Sequence, residues 1–283
     1  MVGPELTNRQ AVVDLLGRFN LRPDKKLGQN FLVDPGALAR VIESADLTPQ
    51  SVVLEIGAGL GTLTRRLAET ARRVVAVEYD RRLEPILRET LADRPAVTLI
   101  IADILSLNLS EAIGTEPFSV VSNIPYQITS HLLRRMLENP TRPERMVLTV
   151  QREIADRILA GPGDMSLLAL GVQAYGQPRI MAHIEAQSFY PVPRVSSAVL
   201  RVDLHDPPRM SSEDARRVFR VARAGFSQPR KKLRNSLAAG LHQSPQEIEA
   251  LLLQAGVSPA ARAEDLSLDD WERVARLWSA TRA

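Results

Sequence analysis

The sequence predicts an α/β fold with a mostly parallel sheet and an antiparallel edge, followed by a small all-helical domain. Two features carry this reading. Short β-branched apolar runs recur along the chain with helix-like segments between the first of them, and after Asp206-Pro207-Pro208 the apolar period becomes that of helices.

The strand-like runs are Val52–Ile56, Arg73–Val77, Val97–Ile101, Phe118–Ser122 and Met146–Val150, with helix-like segments near Arg65–Glu69 and Arg81–Ala92. Near-continuous apolar strands suit a parallel sheet covered on both faces, because a strand with one solvated face would alternate apolar and polar residues. Helical stretches are expected at Arg152–Leu159 and Ser166–Tyr175, and the strands Arg179–Ile184 and Ser197–Leu204 are expected to form an antiparallel pair at the sheet edge. Helices are then expected at Ser211–Ala224, Lys231–Ala239, Pro245–Ala255 and Leu268–Ala280, with Ser or Asp near several starts and Gly240 and Gly256 near two ends. The expected organisation is an extension with helical potential at residues 1–24, an α/β domain at 25–206 and a helical domain at 207–283.

Composition excludes several classes of function. With 45% hydrophobic and 24% charged residues the 283-residue chain has an ordinary globular balance. No apolar run approaches the roughly 20 residues of a membrane span. Residues Met1 to Asn20 mix Glu5, Arg9, Asp14 and Arg18 among apolar positions, unlike the apolar centre of a secretion signal, so a cytoplasmic protein without membrane partners is expected. The chain has no cysteine, which removes disulfides and thiolate chemistry, and His131, His183, His205 and His242 are too scattered to suggest a metal site. The net charge is only +3, but Arg223, Arg230, Lys231, Lys232 and Arg234 lie together with no acid among them. Such a cluster suits a polyanion, although charge runs are more often solvated faces.

The candidate site residues stand at strand ends. Val52–Ile56 runs into Gly57-Ala58-Gly59-Leu60-Gly61-Thr62, where glycines allow a sharp turn and close approach of a ligand to backbone. The spacing is G-x-G-x-G, with Thr62 where a dinucleotide fingerprint needs its last glycine, which disfavours a nicotinamide or flavin. Glu78, about 20 residues further at the end of the second strand, is placed to accept hydrogen bonds from ribose hydroxyls, so a nucleoside is implied. Asp103, after the third strand, is placed to accept from an adenine amino group. The fourth strand ends in Asn123-Ile124-Pro125-Tyr126. An adenine N6 lone pair is delocalised into its ring and attacks a methyl-sulfonium only when the amine is held in line with its hydrogens engaged. The Asn123 side chain and the Ile124 carbonyl offer two acceptors, Pro125 fixes the turn, and Tyr126 offers a face on which a flipped base stacks. Alignment of this kind supplies up to roughly 7–11 kcal/mol without a strong base or metal.

These residues closely resemble the ribosomal RNA adenine dimethyltransferase family, over nearly the whole chain. The resemblance rests on Lys25-Lys26-Leu27-Gly28-Gln29-Asn30-Phe31-Leu32, on Glu55 to Thr64, on Glu78 and Asp103, and on Asn123 to Tyr126. It extends to Gln151-Arg152-Glu153-Ile154-Ala155 and to Phe189-Tyr190-Pro191-Val192-Pro193-Arg194-Val195-Ser196-Ser197. It implies a class I, Rossmann-like methyltransferase with S-adenosylmethionine as cofactor. Asn30, Leu32, Gly57, Glu78, Asp103 and Asn123 would contact that cofactor, and Phe189 would stand near the target base. Phe226 to Leu237 is similar to the basic motif of the family's small-subunit branch, which implies N6-dimethylation of two adjacent adenosines near the 3′ end of 16S rRNA. The expected partner is the small ribosomal subunit, with the protein monomeric when free and also serving in subunit biogenesis. Large-subunit methylation of the antibiotic-resistance type, and a non-catalytic assembly or RNA-binding role, are the alternatives. Pro229 stands where the family usually has another arginine, and the loop from Gly161 to Ser166 is shorter than its counterpart.

Overall fold

The computed structural model of the chain describes residues 6–280, with the Tyr126 side chain outside that description. In chain order the elements are α1 (Arg9–Arg18), β1 (Phe31–Leu32), α2 (Pro35–Ala45), β2 (Val52–Ile56), α3 (Thr62–Leu67), β3 (Arg73–Glu78), α4 (Glu84–Thr90), β4 (Val97–Ile101), α5 (Leu109–Ile113), β5 (Ser119–Asn123), α6 (Thr129–Glu138), β6 (Arg145–Gln151), α7 (Arg152–Leu159), α8 (Leu167–Tyr175), β7 (Gly176–Ile184), β8 (Phe189–Tyr190), β9 (Ser197–Leu204), α9 (Ser212–Phe226), α10 (Leu233–Leu241), α11 (Pro245–Gln254) and α12 (Leu268–Ala280).

Seven strands form one sheet in the order β4-β3-β2-β5-β6-β9-β7. The strands from β4 to β6 are parallel neighbours, and β9 runs antiparallel to β6, with Met146 opposite Val202 and Leu148 opposite Leu200. All five residues of β2 are buried, as helices on both faces require, whereas β7 at the edge alternates exposed and half-buried positions. One face packs Leu38 and Val41 of α2 against Val53, Val121 and Val147. On the same face, Val12 and Leu16 of α1 and Ile86 and Leu87 of α4 pack around Ala76, which is in register with Glu55 two residues beyond Val53.

Helices α2, α5 and α6 of this sheet unit lie outside the sequence expectation. In α2, Asp34 caps the Ala37 amide at 2.9 Å, Pro35 occupies the first turn, and Ala37, Leu38, Val41 and Ala45 form a buried stripe. In α6, Leu132, Leu133, Met136 and Leu137 make a similar stripe between β5 and β6.

The chain divides into two compact units, with one division two residues from the expected boundary and two further ones upstream of it. One unit runs to Ala155 and resumes over Pro178–Leu204; the other takes Asp156–Gln177 together with the chain from His205 onward. The reason is packing. Met165, Ala169, Leu170 and Ala174 belong to the apolar core built by Phe219, Leu237, Leu252 and Trp271. The sequence of α8 is apolar nearly throughout, which marks it as buried without saying in which core.

Candidate active site

The strand order reverses between β2, which leads outward to β3, and β5 on its other side. Ligands of open α/β sheets sit outside the carboxyl ends of strands at this switch point. Here it holds a cavity of about 340 Å³ lined by Gly57 and Gly59 after β2, Val77, Glu78 and Tyr79 at β3, Ala102 and Asp103 after β4, and Asn123, Ile124 and Pro125 at β5. The segment Lys26 to Phe31 supplies a further wall. That volume falls in the ~300–1,000 Å³ range of small-molecule sites.

The glycine loop is shaped by backbone. Gly57, Gly59 and Gly61 all have positive φ, at 78°, 60° and 86°. A side chain at Gly59 would crowd the Phe31 ring at 3.3 Å, so the loop is held bare against the facing segment. The floor is anchored by Glu78, only 6% exposed. Its Oε2 accepts from the Gly59 amide at 2.8 Å and its Oε1 from the Asp80 amide at 2.8 Å. Burial raises the Glu78 carboxyl above its ordinary pKa, against the lowering effect of these amides. Each carboxylate oxygen retains a lone pair for a further donor. Behind the loop lies a second acid, Glu55, at 1% exposure, and burial pushes its pKa up to about 8. Asp103 is exposed, and its Oδ1 accepts from the Leu105 amide at 2.9 Å, which fixes the carboxylate at the cavity edge.

Asn123 is oriented by a hydrogen bond that sequence alone does not show. Its Nδ2 donates to the Asn30 carbonyl at 3.0 Å, and the Asn30 Nδ2 donates to the Gly28 carbonyl at 3.0 Å. With the amide nitrogen engaged, Oδ1 remains as acceptor, and no partner for it is found among the described residues. The Ile124 amide donates to the Thr149 carbonyl at 3.3 Å, tying the turn to β6.

Of the predicted residues, Asn30, Gly57, Glu78, Asp103, Asn123, Ile124 and Pro125 meet at this cavity. Leu32 and Phe189 do not line it. They are paired partners in the two-stranded β1/β8 ribbon, both buried in the core with Leu38 and Val53. Phe189 is 0% exposed in this structure. The stacking role expected of Tyr126 falls on a side chain outside the described part.

In the helical unit, Arg223, Arg230, Lys231 and Lys232 are exposed as expected. Arg234 differs: it is half-buried and paired with Glu249 at 2.7 Å, an acid distant in sequence that inspection of the local run misses. The start of α10 is not open to anions, because the Leu233 and Arg234 amides donate to the Ala261 and Pro259 carbonyls. Arg216 and Arg220, which the sequence reading passed over, are exposed on α9 at positions four and three residues apart from one another and Arg223, hence on one helical face. The Arg220 guanidinium lies over the Trp278 ring at 5.0 Å.

A glycine loop, a buried carboxylate after the second sheet strand and an Asn-x-Pro turn after the fourth, gathered at the switch point of a seven-stranded sheet, define a Rossmann-like methyltransferase. The solved structures agree. The chain superposes on the 23S rRNA methyltransferase ErmE with a TM-score of 0.70 and 31% identity, covering 88% of this chain and 100% of that one. It superposes on a dimethyladenosine transferase from Plasmodium falciparum with a TM-score of 0.72 and 22% identity, covering 85% and 94%. The chain belongs to the ribosomal RNA adenine dimethylase family, whose model matches residues 20–279. It is 40% identical to the ribosomal RNA small subunit methyltransferase A of Dehalococcoides mccartyi, over 94% of this chain and 92% of the relative. It is 42% identical to the protein of the same name from Desulfitobacterium hafniense, over 88% and 90%.

Proposed function

We propose that the protein transfers methyl groups from S-adenosylmethionine to the N6 amines of two adjacent adenosines near the 3′ end of 16S rRNA, and that it takes part in small-subunit biogenesis. The observation that carries this reading is the meeting of Glu78 and Asn123 at one cavity, with the Asn123 nitrogen already tied to Asn30. Glu78 would hold the ribose hydroxyls, Asp103 the adenine amine, and Asn30 and Gly57 the rest of the cofactor, whose contribution is an electrophilic methyl on a sulfonium. The Asn123 Oδ1 and the Ile124 carbonyl would accept the two N6 hydrogens, aiming the lone pair and stabilising positive charge as it develops on the amine. Tyr126 would stack the flipped base.

Similarity to relatives named for the small subunit, higher than to the large-subunit enzyme ErmE, supports the 16S substrate. Arg223, Arg230, Lys231 and Lys232, with Arg216 and Arg220, would dock phosphates of the particle. Among the described residues no helix is long and apolar enough to cross a membrane. We place the protein in the cytoplasm, monomeric when free.

The test is transfer from labelled S-adenosylmethionine to undermethylated small subunits, with large subunits and naked RNA in parallel, followed by mass analysis of the adenosines. Dimethyladenosine confined to small-subunit RNA supports the reading. Labelling of large-subunit RNA alone would overturn the substrate, and tight particle binding without label would overturn catalysis.

Two further results are expected. Glu78→Ala should weaken S-adenosylmethionine binding roughly tenfold to a hundredfold in calorimetric titration, since it deletes a charged acceptor and the anchor of the Gly59 amide. Replacing Lys231 and Lys232 by glutamate should weaken small-subunit binding and lower the slope of log affinity against log salt by about 2, the loss of two phosphate contacts. An unchanged salt slope would mean that these side chains stay solvated.

A further inference from the structure

The segment from Asp24 to Phe31 crosses the cavity as a strap, and it is fastened by a closed ring of hydrogen bonds through Asp24, Gln29, Asp80 and Arg82. Asp24 Oδ1 caps the short turn that follows it, accepting from the Lys26 amide at 2.8 Å. Gln29 bridges inward: its Oε1 accepts from the Asp24 amide at 2.7 Å, and its Nε2 donates to Asp80 Oδ2 at 2.8 Å. Asp80 is 7% exposed and takes the Arg82 guanidinium at 2.7 and 2.8 Å. Arg82 closes the ring by donating to Asp24 Oδ2 at 3.2 Å.

The ring joins the two halves of the site. Asp80 shares its own amide with Glu78, the anchor of the cavity floor. Gln29 precedes Asn30, whose carbonyl orients Asn123. A displacement of the strap would therefore change the wall of the cofactor cavity and the orientation of the Asn123 amide at once. We infer that Gln29 is a positioning residue, which, clasped to Asp80, sets the strap and through Asn30 aims Asn123 at the amine to be methylated. A carboxylate facing only its Arg82 partner would already be satisfied electrostatically, so stability does not by itself require the Gln29 donor. The partly buried Gln29 to Asp80 bond links segments 51 residues apart, one carrying Asn30 and the other following Glu78.

This inference rests on the proposed reaction, and its test separates the two. Gln29→Glu keeps the size of the side chain and its acceptor for the Asp24 amide, but it replaces the donor to Asp80 with a second carboxylate. In the full-length variant, affinity for S-adenosylmethionine is expected to fall about tenfold by equilibrium titration, and kcat on undermethylated small subunits about a hundredfold, the loss seen when a reacting group is misplaced by about 1 Å. The double variant Gln29→Glu with Asp80→Asn restores the bond with donor and acceptor exchanged, and it should recover most of both losses. Rescue supports the clasp. A Gln29→Glu variant that is merely less heat-stable, with wild-type affinity and kcat, overturns it, as does a double variant no better than the single. If the wild-type protein fails to methylate small subunits, the reading of function falls, while cofactor affinity in the two variants still decides the clasp.

Discussion

Replacing Asn123 by alanine is expected to lower kcat on small subunits by about 10²–10³, while affinity for S-adenosylmethionine changes by less than about threefold. The asymmetry follows from where Asn123 stands. The proposed cofactor contacts Glu78, Asp103 and Gly57 lie at the ends of β3, β4 and β2, and their hydrogen bonds to backbone do not involve the Asn123 side chain. What is lost is the acceptor Oδ1, held in place because Nδ2 is committed to the Asn30 carbonyl. That acceptor matters more in the transition state than before it, since positive charge grows on the amine as the new carbon–nitrogen bond forms, so its removal lowers kcat. Asn123→Asp sharpens the test. It keeps an acceptor but loses the donor to Asn30, and it should therefore retain more activity than the alanine variant. Single-turnover transfer beside calorimetric titration measures both quantities. An alanine variant with unchanged kcat would remove Asn123 from the chemistry, and one that fails to bind cofactor would make it a binding residue instead.

The site was readable in the sequence where its signals are local, and unreadable where they depend on packing. Gly57, Glu78, Asp103 and Asn123 each follow an apolar run, so their convergence needs only the rule that strand ends line one crevice. The bond from Asn123 to Asn30 spans 93 residues and the clasp from Gln29 to Asp80 spans 51, and no spacing in the chain announces either. Phe189 is a further case of packing that the sequence does not announce. Its place near the target base is implied by the family resemblance alone, and the pairing of β8 with β1, which no local signal announces, puts it in the core. Arg234 was read as part of an unbroken basic run because Glu249, its partner, lies a helix away. The same holds for α8, whose apolar sequence fits the core of either unit, and only the contacts with Phe219 and its neighbours decide.

Glu55 leads to the second large effect. It is a carboxyl in the middle of the sheet, fully buried on β2, with Oε2 lacking a hydrogen-bond partner among the described residues. Burial first, and the neighbouring Glu78 charge in addition, hold its pKa near 8, so at neutral pH it stands protonated. This spares Glu78 a second negative charge beside the cavity. The consequence for stability has a definite sign. Between about pH 4.5 and 8 the unfolded chain releases the Glu55 proton and the folded chain keeps it. The unfolded state binds fewer protons, and stability falls as pH rises through that window, levelling off above it. Glu55→Gln has nearly the same shape and cannot ionise in either state. Relative to wild type its stability should therefore rise by about 1.4 kcal/mol per pH unit across the window, reaching about 3 kcal/mol by pH 7. The buried amide can add a fixed cost of about 1–3 kcal/mol for hydrogen bonds it cannot make, but that offset does not vary with pH. Denaturant unfolding of both proteins from pH 4.5 to 9 reads the difference directly. Parallel stability curves would show that Glu55 ionises in the folded protein at ordinary carboxylate pH, and the neutral partner to Glu78 would be lost with it.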